Sequence, residues 1–342
     1  MVQNDSEFDQ AINDFEETQG EIQMKRLAKR FVPAAIIRHA LPMVLKGKAK
    51  RKGLEIQVGS DFIDISKGAD VVRVSTDHAV YLEDIIGAFE YYFDAVTPFR
   101  ASNKNVVDYS TPRYHDVAGF DAFPIVFPSF SEPVITARQY TEFAKLNEGG
   151  TVLDLGAYSG LTSIIFSEAV GKTGTVVAVD ADQRNIECIK RNFSNYKKYF
   201  GKTIDLVEGA VWEHNDGLEF SCEGNMGSSA ASIVGSKRGA VSKVPSFTLS
   251  AIADKYNLKR VDFMKVDVEG AENVIFEDKA FFQKFSPRII METHMVGDKM
   301  TTEKCISDLQ SYGYSCKKIH QEGSTAPLLE CIPSSSTTGN AK

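Results

Sequence analysis

The stretch from Thr151 to Ser163, T-V-L-D-L-G-A-Y-S-G-L-T-S, narrows the folds open to this chain more than any other. An apolar run (Val152, Leu153, Leu155) stops at a turn that carries Asp154, Gly156 and Gly160. Beyond it Ile164, Ile165, Phe166, Ala169 and Val170 recur at helical spacing. Strand, glycine turn and helix in that order form the first unit of a doubly wound α/β sheet. Glycine serves there because the backbone must bend sharply and pass close to a ligand without a Cβ in the way. The spacing is D-x-G-x-x-x-G and not the G-x-G-x-x-G of dinucleotide folds, since Ala157 and Tyr158 occupy the places where tighter turn residues are required.

An acid just ahead of the first glycine suits a ligand with an ammonium or hydroxyl group and suits a pyrophosphate poorly. S-adenosylmethionine is such a ligand; an ordinary βα turn would need none. Thr175 to Val179 reads as a second buried strand ending at Asp180, twenty-six residues after Asp154, the length of one βα unit. A carboxylate at that strand tip can accept hydrogen bonds from both hydroxyls of a ribose. Asn185 to Phe193 predicts the following helix, and Ile204 to Val211 a third strand. The small residues Gly209 and Ala210, next to Val211, leave room there for a flat adenine. Residues 218–247 read as a hairpin insertion with a mobile glycine- and serine-rich tip. It is no phosphate loop, because no lysine follows at the required spacing.

A second stretch with chemical content is Val261 to Glu272, V-D-F-M-K-V-D-V-E-G-A-E. Lys265 and Asp267 share one face of a strand. A lysine in a central strand needs a carboxylate partner. Asp267, Glu269 and Glu272 fall at the strand's C-terminal end, where open α/β sheets place their ligands. Arg288 to His294, R-I-I-M-E-T-H, predicts the next buried strand, also ending in polar groups. The expected arrangement pairs Lys265 with Glu292 and leaves Asp267 to act on acceptor or donor. His294 is either a general base or a satisfied histidine at the sheet's rim. Thr302 to Tyr312 predicts a last helix capped by Gly313. Cys316 to His320 and Leu328 to Ile332 close the fold as a hairpin, and the tail from Pro333 should be disordered.

Ahead of the glycine turn the chain changes character. Residues 1–21 hold seven acids and no base, and residues 22–54 hold ten bases and no acid. The second segment reads in two ways: as a basic amphipathic element that meets an anionic membrane, or as a packed helix whose lysines are solvated. Residues 54–82 alternate as small antiparallel strands. Residues 107–133 form an irregular aromatic and proline-rich passage, either a substrate wall or a packed connector. Val134 to Leu146 has helical spacing. The expected boundaries are 1–53, 54–131, 132–332 and 333–342, the third being the α/β domain and the first two a small α+β extension.

Composition excludes some classes. A net charge of −7 does not suit nucleic acid. The five cysteines form no C-x-x-C pair and are expected only to pack, as in a reducing compartment. No apolar stretch approaches the span of a bilayer and no signal-peptide pattern opens the chain, so the expected location is cytoplasmic, with peripheral membrane contact through residues 22–52 as the alternative.

Taken together, V-L-D-L-G-A-Y-S-G, V-D-F-M-K-V-D-V-E-G-A-E and R-I-I-M-E-T-H resemble the FkbM family of S-adenosylmethionine-dependent methyltransferases. The likeness runs from about Glu132 to Ile332, and K-x-D-x-E-G-x-E is its most distinctive part. The resemblance implies a Rossmann-like class I methyltransferase sheet, mostly parallel with a C-terminal antiparallel hairpin. It also implies a cofactor turn from Asp154 through Gly156, Ala157, Tyr158, Ser159 and Gly160, a ribose carboxylate at Asp180 beside Ala181, and an adenine site near Ala210 and Val211. Asp267 would face the methyl donor, with Lys265, Glu269, Glu292 and His294 around it. Members methylate hydroxyl oxygens on sugars and polyketide-type molecules, so a small-molecule or glycan acceptor is implied. The chain departs from the family pattern at Tyr158, where asparagine is common, and at Asp180-Ala181, where Glu-Pro is common. A hydroxyl acceptor must lose a proton, to Asp267, Glu269 or His294, or to solvent after Mg²⁺ held by these acids has acidified it. Rival readings are a lipid-linked or macromolecular acceptor, a nucleic-acid methyltransferase, and a non-catalytic binding protein. The second of these lacks its proline-aromatic motif where V-D-V-E-G stands.

Overall fold

Alternating apolar residues between Glu55 and Ser75 place one side of each strand in a core, and three strands form there as the alternation predicts. The computed structural model describes residues 34–132, 134–222, 229–230, 240–297, 299–320 and 327–334. The expectations for residues 1–33, for the tip of the 218–247 hairpin and for the tail after Ser334 lie outside the described residues. The chain divides into two units, Met1–Phe89 with Phe99–Ser110, and Glu90–Pro98 with Thr111–Lys342.

In the first unit, helix α1 (Ala34–Arg51) leads into β1 (Glu55–Val58), β2 (Phe62–Lys67) and β3 (Asp70–Ser75). A 3₁₀ turn (Thr76–Tyr81) and α2 (Leu82–Gly87) follow, and β4 (Phe99–Ala101) and β5 (Lys104–Tyr109) complete a sheet of order β1-β2-β3-β5-β4. The β3–β5 pairing is parallel, so this sheet is not wholly antiparallel as the short runs suggested. Leu45 and Ala49 of α1 are buried, and Lys48 pairs with Glu83 of α2. Among the described residues no helix is long and apolar enough to cross a membrane.

The second unit begins with α3 (Tyr91–Ala95) and the hairpin β6 (Arg113–Val117) and β7 (Phe120–Phe127). The passage expected to be irregular is therefore largely strand. Phe123, Ile125 and Phe127 are buried on β7, and Phe123 stacks on Tyr199 at 5.3 Å. The remaining elements are α4 (Val134–Ala144), β8 (Thr151–Leu155), α5 (Leu161–Val170), β9 (Thr175–Asp180), α6 (Gln183–Phe200), β10 (Asp205–Glu208) and β11 (Ala210–Val211). Then come β12 (Leu218–Cys222), β13 (Ser229–Ala230), β14 (Ala240–Val244), β15 (Ser246–Phe247), α7 (Leu249–Lys255) and β16 (Phe263–Val266). The chain continues with α8 (Glu272–Ile275), α9 (Lys279–Lys284), β17 (Arg288–Glu292), β18 (Met295–Val296) and β19 (Lys299–Met300). It closes with α10 (Thr302–Ser311), β20 (Tyr314–His320) and β21 (Pro327–Pro333).

Seven strands form the central sheet in the order β10-β9-β8-β16-β17-β21-β20. Pairing is parallel from β10 to β17 and antiparallel for β17–β21 and β21–β20. This is a doubly wound, mostly parallel α/β sheet with the closing antiparallel hairpin that the sequence leads one to expect. Leu153, Val177, Met264, Ile289 and Leu329 are buried in one continuous core, while Phe166 and Phe143 both meet Phe263 edge-on. Strand order reverses between β8 and β16, so the crevice at their carboxyl ends is the place such a sheet offers a ligand.

One expectation fails at the closing hairpin. The cysteines were expected only to pack, but Cys316 and Cys331 face each other in the β20–β21 register and form a disulfide. Antiparallel pairing brings together two residues 15 apart in sequence, which no local spacing rule detects.

Candidate active site

The carboxyl ends of β8 and β16 touch through backbone. Gly156 follows β8 with φ +79°, and its N–H donates to Val179 O of β9 at 2.9 Å. A Cβ on Gly156 would lie 1.8 Å from the carbonyl oxygen of Asp267, so no other residue fits between the two strand exits. Gly160 closes the turn at φ +79°, where a Cβ would lie 2.6 Å from the Phe193 ring of α6. Asn192 of α6 clamps the turn from the side. Its amide donates to Ser159 O and Val126 O and accepts from Val126 N, all at 2.9 Å. This backbone cradle, which a Cβ would fill, fits the sequence-predicted cofactor turn. Within it Ala157 is buried, and Tyr158 sends its hydroxyl away to Phe130 O (2.7 Å) and Ser129 (2.9 Å). Tyr158 therefore contributes backbone to the turn, and its N–H donates to Asp180 Oδ2 at 2.8 Å.

Lys265 sits beneath this turn. Its Nζ donates to Gly156 O at 2.6 Å and lies 3.4 Å from Asp267 Oδ2 and 3.7 Å from Asp154 Oδ1. Burial works to lower its pKa, but Asp267, Asp154 and Glu132 outweigh that and hold the ammonium above its ordinary value. The expected partner, Glu292, is not the one chosen. In the parallel register Lys265 stands opposite Asp154 on β8 and opposite Ile290 on β17, with Glu292 two residues further along. Asp154 is fully buried and its Oδ2 accepts the Ser163 hydroxyl. Burial raises its pKa, and Lys265 opposes the rise.

His294, just past β17, gathers the acids. Its Nδ1 bonds Glu272 Oε1 at 2.9 Å. Its Nε2 lies 3.6 Å from Asp267 Oδ1, 3.6 Å from Glu269 Oε1 and 3.9 Å from Glu292 Oε1. Burial disfavours the imidazolium, yet Glu269, Glu272 and Asp267 prevail and raise the pKa well above 6.5. A ring so protonated donates from both nitrogens and holds the carboxylates in place. Glu269, at φ +52°, is pushed up to about 8, chiefly by burial, with Asp267, Glu292 and Glu272 adding to the rise. Asp267, Glu292 and His294 also present ligand atoms within 4.8 Å of one another, spacing that could hold a metal ion. Two carboxylates and an imidazole suit a first-row transition ion better than Mg²⁺, which prefers oxygen alone.

Asp180 ends β9 as expected. Its carboxylate accepts from Tyr158 N and Asp182 N, and burial lifts it to about 7. Ala181 and Ala210 pack with Phe220 and Val244 of the inserted hairpin, so β12 and β14 wall the region beside Asp180. Val211 instead belongs to the main core. Sequence reasoning missed Glu132, whose Oε2 accepts the Ser159 hydroxyl. Burial pushes its carboxyl up to about 8, against that hydrogen bond and Lys265. The signal for it was a lone acid in the run F-P-S-F-S-E-P, directly ahead of α4.

Residues 154–316 match the methyltransferase FkbM domain. No curated protein matches the chain. Among solved structures, the chain is similar to the methyltransferase FkbM from Methylobacillus flagellatus KT, at 15% identity and a TM-score of 0.38, covering 57% of this chain and 50% of that one. It is similar to the precorrin-6y C5,15-methyltransferase from Geobacter metallireducens GS-15, at 15% identity and a TM-score of 0.38, covering 59% and 88%. A third similar structure is the O-methyltransferase from Bacillus cereus in complex with SAH, at 11% identity and a TM-score of 0.37, covering 60% and 82%.

Proposed function

Since this chain belongs, through residues 154–316, to the FkbM methyltransferases, which depend on S-adenosylmethionine, we propose that it methylates a hydroxyl oxygen on a sugar or other small-molecule acceptor. One observation carries this reading: the turn that fits the cofactor and a cluster of acids meet at one place, joined by Lys265, which touches both Gly156 O and Asp267.

S-adenosylmethionine, when bound, supplies a methyl group already activated on a sulfonium. The protein must align the acceptor oxygen, exclude water and remove one proton. Glu269 takes that proton. It is partly exposed, lies within reach of the His294 imidazolium, and has a pKa of about 8, close to the range in which a general base works best. Asp267 holds the acceptor side of the site, fixed between Lys265 and His294. Asp180 is the ribose acceptor, and Ala181, Ala210 and the β12–β14 hairpin border the nucleoside. Helix α1 brings the chain to an anionic membrane surface, a reading supported by the exposed Lys46, Lys50 and Arg51 beside buried Leu45 and Ala49.

A labelled methyl donor offered with glycans, hydroxylated small molecules, lipids and RNA tests the acceptor class. Label should enter the first two as an ether; transfer to a base nitrogen of RNA instead would defeat the proposal. Repeating the productive reaction with a chelator separates the metal route, since a metal-assisted enzyme loses turnover and regains it with a divalent ion.

A further inference from the structure

The sequence places Asp154 where a ligand's ammonium would be received, but the fold commits that residue elsewhere. Asp154 has no exposed surface; one oxygen accepts Ser163 and the other lies 3.7 Å from Lys265. Asp267 is also engaged on both oxygens, by Lys265 and by His294. The acid left at the cofactor turn is Glu132, which keeps part of its surface exposed.

We propose that Glu132 receives the ammonium of the methionine moiety when S-adenosylmethionine binds. This rests on the chain's use of that cofactor. Three features of the site support it. First, Glu132 is tied to the turn itself: Leu161 N donates to Ser159 Oγ at 3.2 Å, and Ser159 Oγ in turn donates to Glu132 Oε2. Second, Glu132, Asp154 and Asp267 all act on Lys265, while His294 adds a second cation on the Asp267 side. An incoming ammonium would supply positive charge on the Glu132 side. Third, burial pushes the Glu132 carboxyl up to about 8, so a cation placed beside it would favour its ionised form. Glu132 precedes the segment that matches the family, which begins at residue 154.

Calorimetry on the full chain with two ligands tests this. S-adenosylhomocysteine carries the ammonium, whereas 5′-methylthioadenosine keeps the nucleoside and sulfur but has no amino acid. Glu132→Gln preserves an acceptor for Ser159 and removes only the charge. It should weaken S-adenosylhomocysteine about ten- to hundredfold, the range of a charge-assisted hydrogen bond, and leave 5′-methylthioadenosine within about twofold of wild type. Glu132→Asp should recover part of the loss. If Glu132→Gln binds S-adenosylhomocysteine as wild type does, or loses both ligands equally, the assignment is wrong. Wild-type protein that binds neither ligand would instead overturn the cofactor reading beneath it.

Discussion

At the scale of single residues, Lys265 and Glu269 do opposite kinds of work. Lys265 is buried under three carboxylates and a carbonyl, so its value is as a counter-charge. Replacing it with methionine leaves Asp154 buried with no cation, and loss of one member of a buried ion pair costs about 3–5 kcal/mol. Urea unfolding of Lys265→Met should register that loss. Asp267→Asn, which keeps shape, should lower turnover about tenfold or more while leaving the melting temperature nearly unchanged. A stable Lys265→Met enzyme together with a misfolded Asp267→Asn protein would defeat this division. Glu269 must be ionised to accept a proton, and it is held near 8. Turnover should therefore rise with pH through about 8, its midpoint, and level off above it. Glu269→Gln should lose most turnover and the rising limb with it, while S-adenosylhomocysteine affinity stays at the wild-type value. A profile that keeps its rise in Glu269→Gln assigns the proton to another group.

At the scale of elements, the contact between the ends of β8 and β16 decides whether the site exists. Gly156 and Gly313 share a left-handed backbone, at φ +79° and +82°, but differ in surroundings. A Cβ at Gly156 meets Asp267 O at 1.8 Å, and one at Gly313 meets nothing within 4 Å. Gly313→Ala should cost only the conformational strain, about 1–2 kcal/mol. Gly156→Ala adds a backbone clash and should cost about 2–5 kcal/mol, with loss of S-adenosylhomocysteine binding. Equal losses at the two positions would show that the strand exits can part without penalty. The strands themselves were legible because each apolar run ends in a polar residue: Asp180 for β9, Asp267 beyond β16, Glu292 for β17. The partners of those residues were not. Lys265 meets Asp154 only through a parallel register that joins residues 111 apart, and the Cys316–Cys331 disulfide needs the register of β20 on β21. Glu132 escaped for a related reason. It comes from outside the sheet, and a lone acid leaves no periodicity to read.

At the scale of the whole molecule, net charge and local charge point in opposite directions. The chain carries −7, which repels an anionic surface, yet residues 22–54 carry ten bases and no acid. Screening decides between them. At physiological salt the Debye length is about 8 Å, so a lipid surface responds to the side chains nearest it and hardly at all to distant acids. Within α1, Lys48 is engaged by Glu83, and Lys46, Lys50 and Arg51 are exposed. Leu45 and Ala49 are buried, so deleting the helix would damage the fold and confuse the result. Reversing charge at the exposed positions avoids this. Each base near an anionic surface contributes about 1 kcal/mol, so even neutralising three should weaken attachment about a hundredfold, and reversal more. The wild-type chain should sediment with phosphatidylserine-containing vesicles at low salt and be released as salt rises, with no binding to neutral vesicles. The triple variant Lys46→Glu, Lys50→Glu, Arg51→Glu should stay in the supernatant with its melting temperature retained. Wild-type protein that ignores anionic vesicles even at low salt would leave α1 a purely structural helix whose lysines serve only solubility.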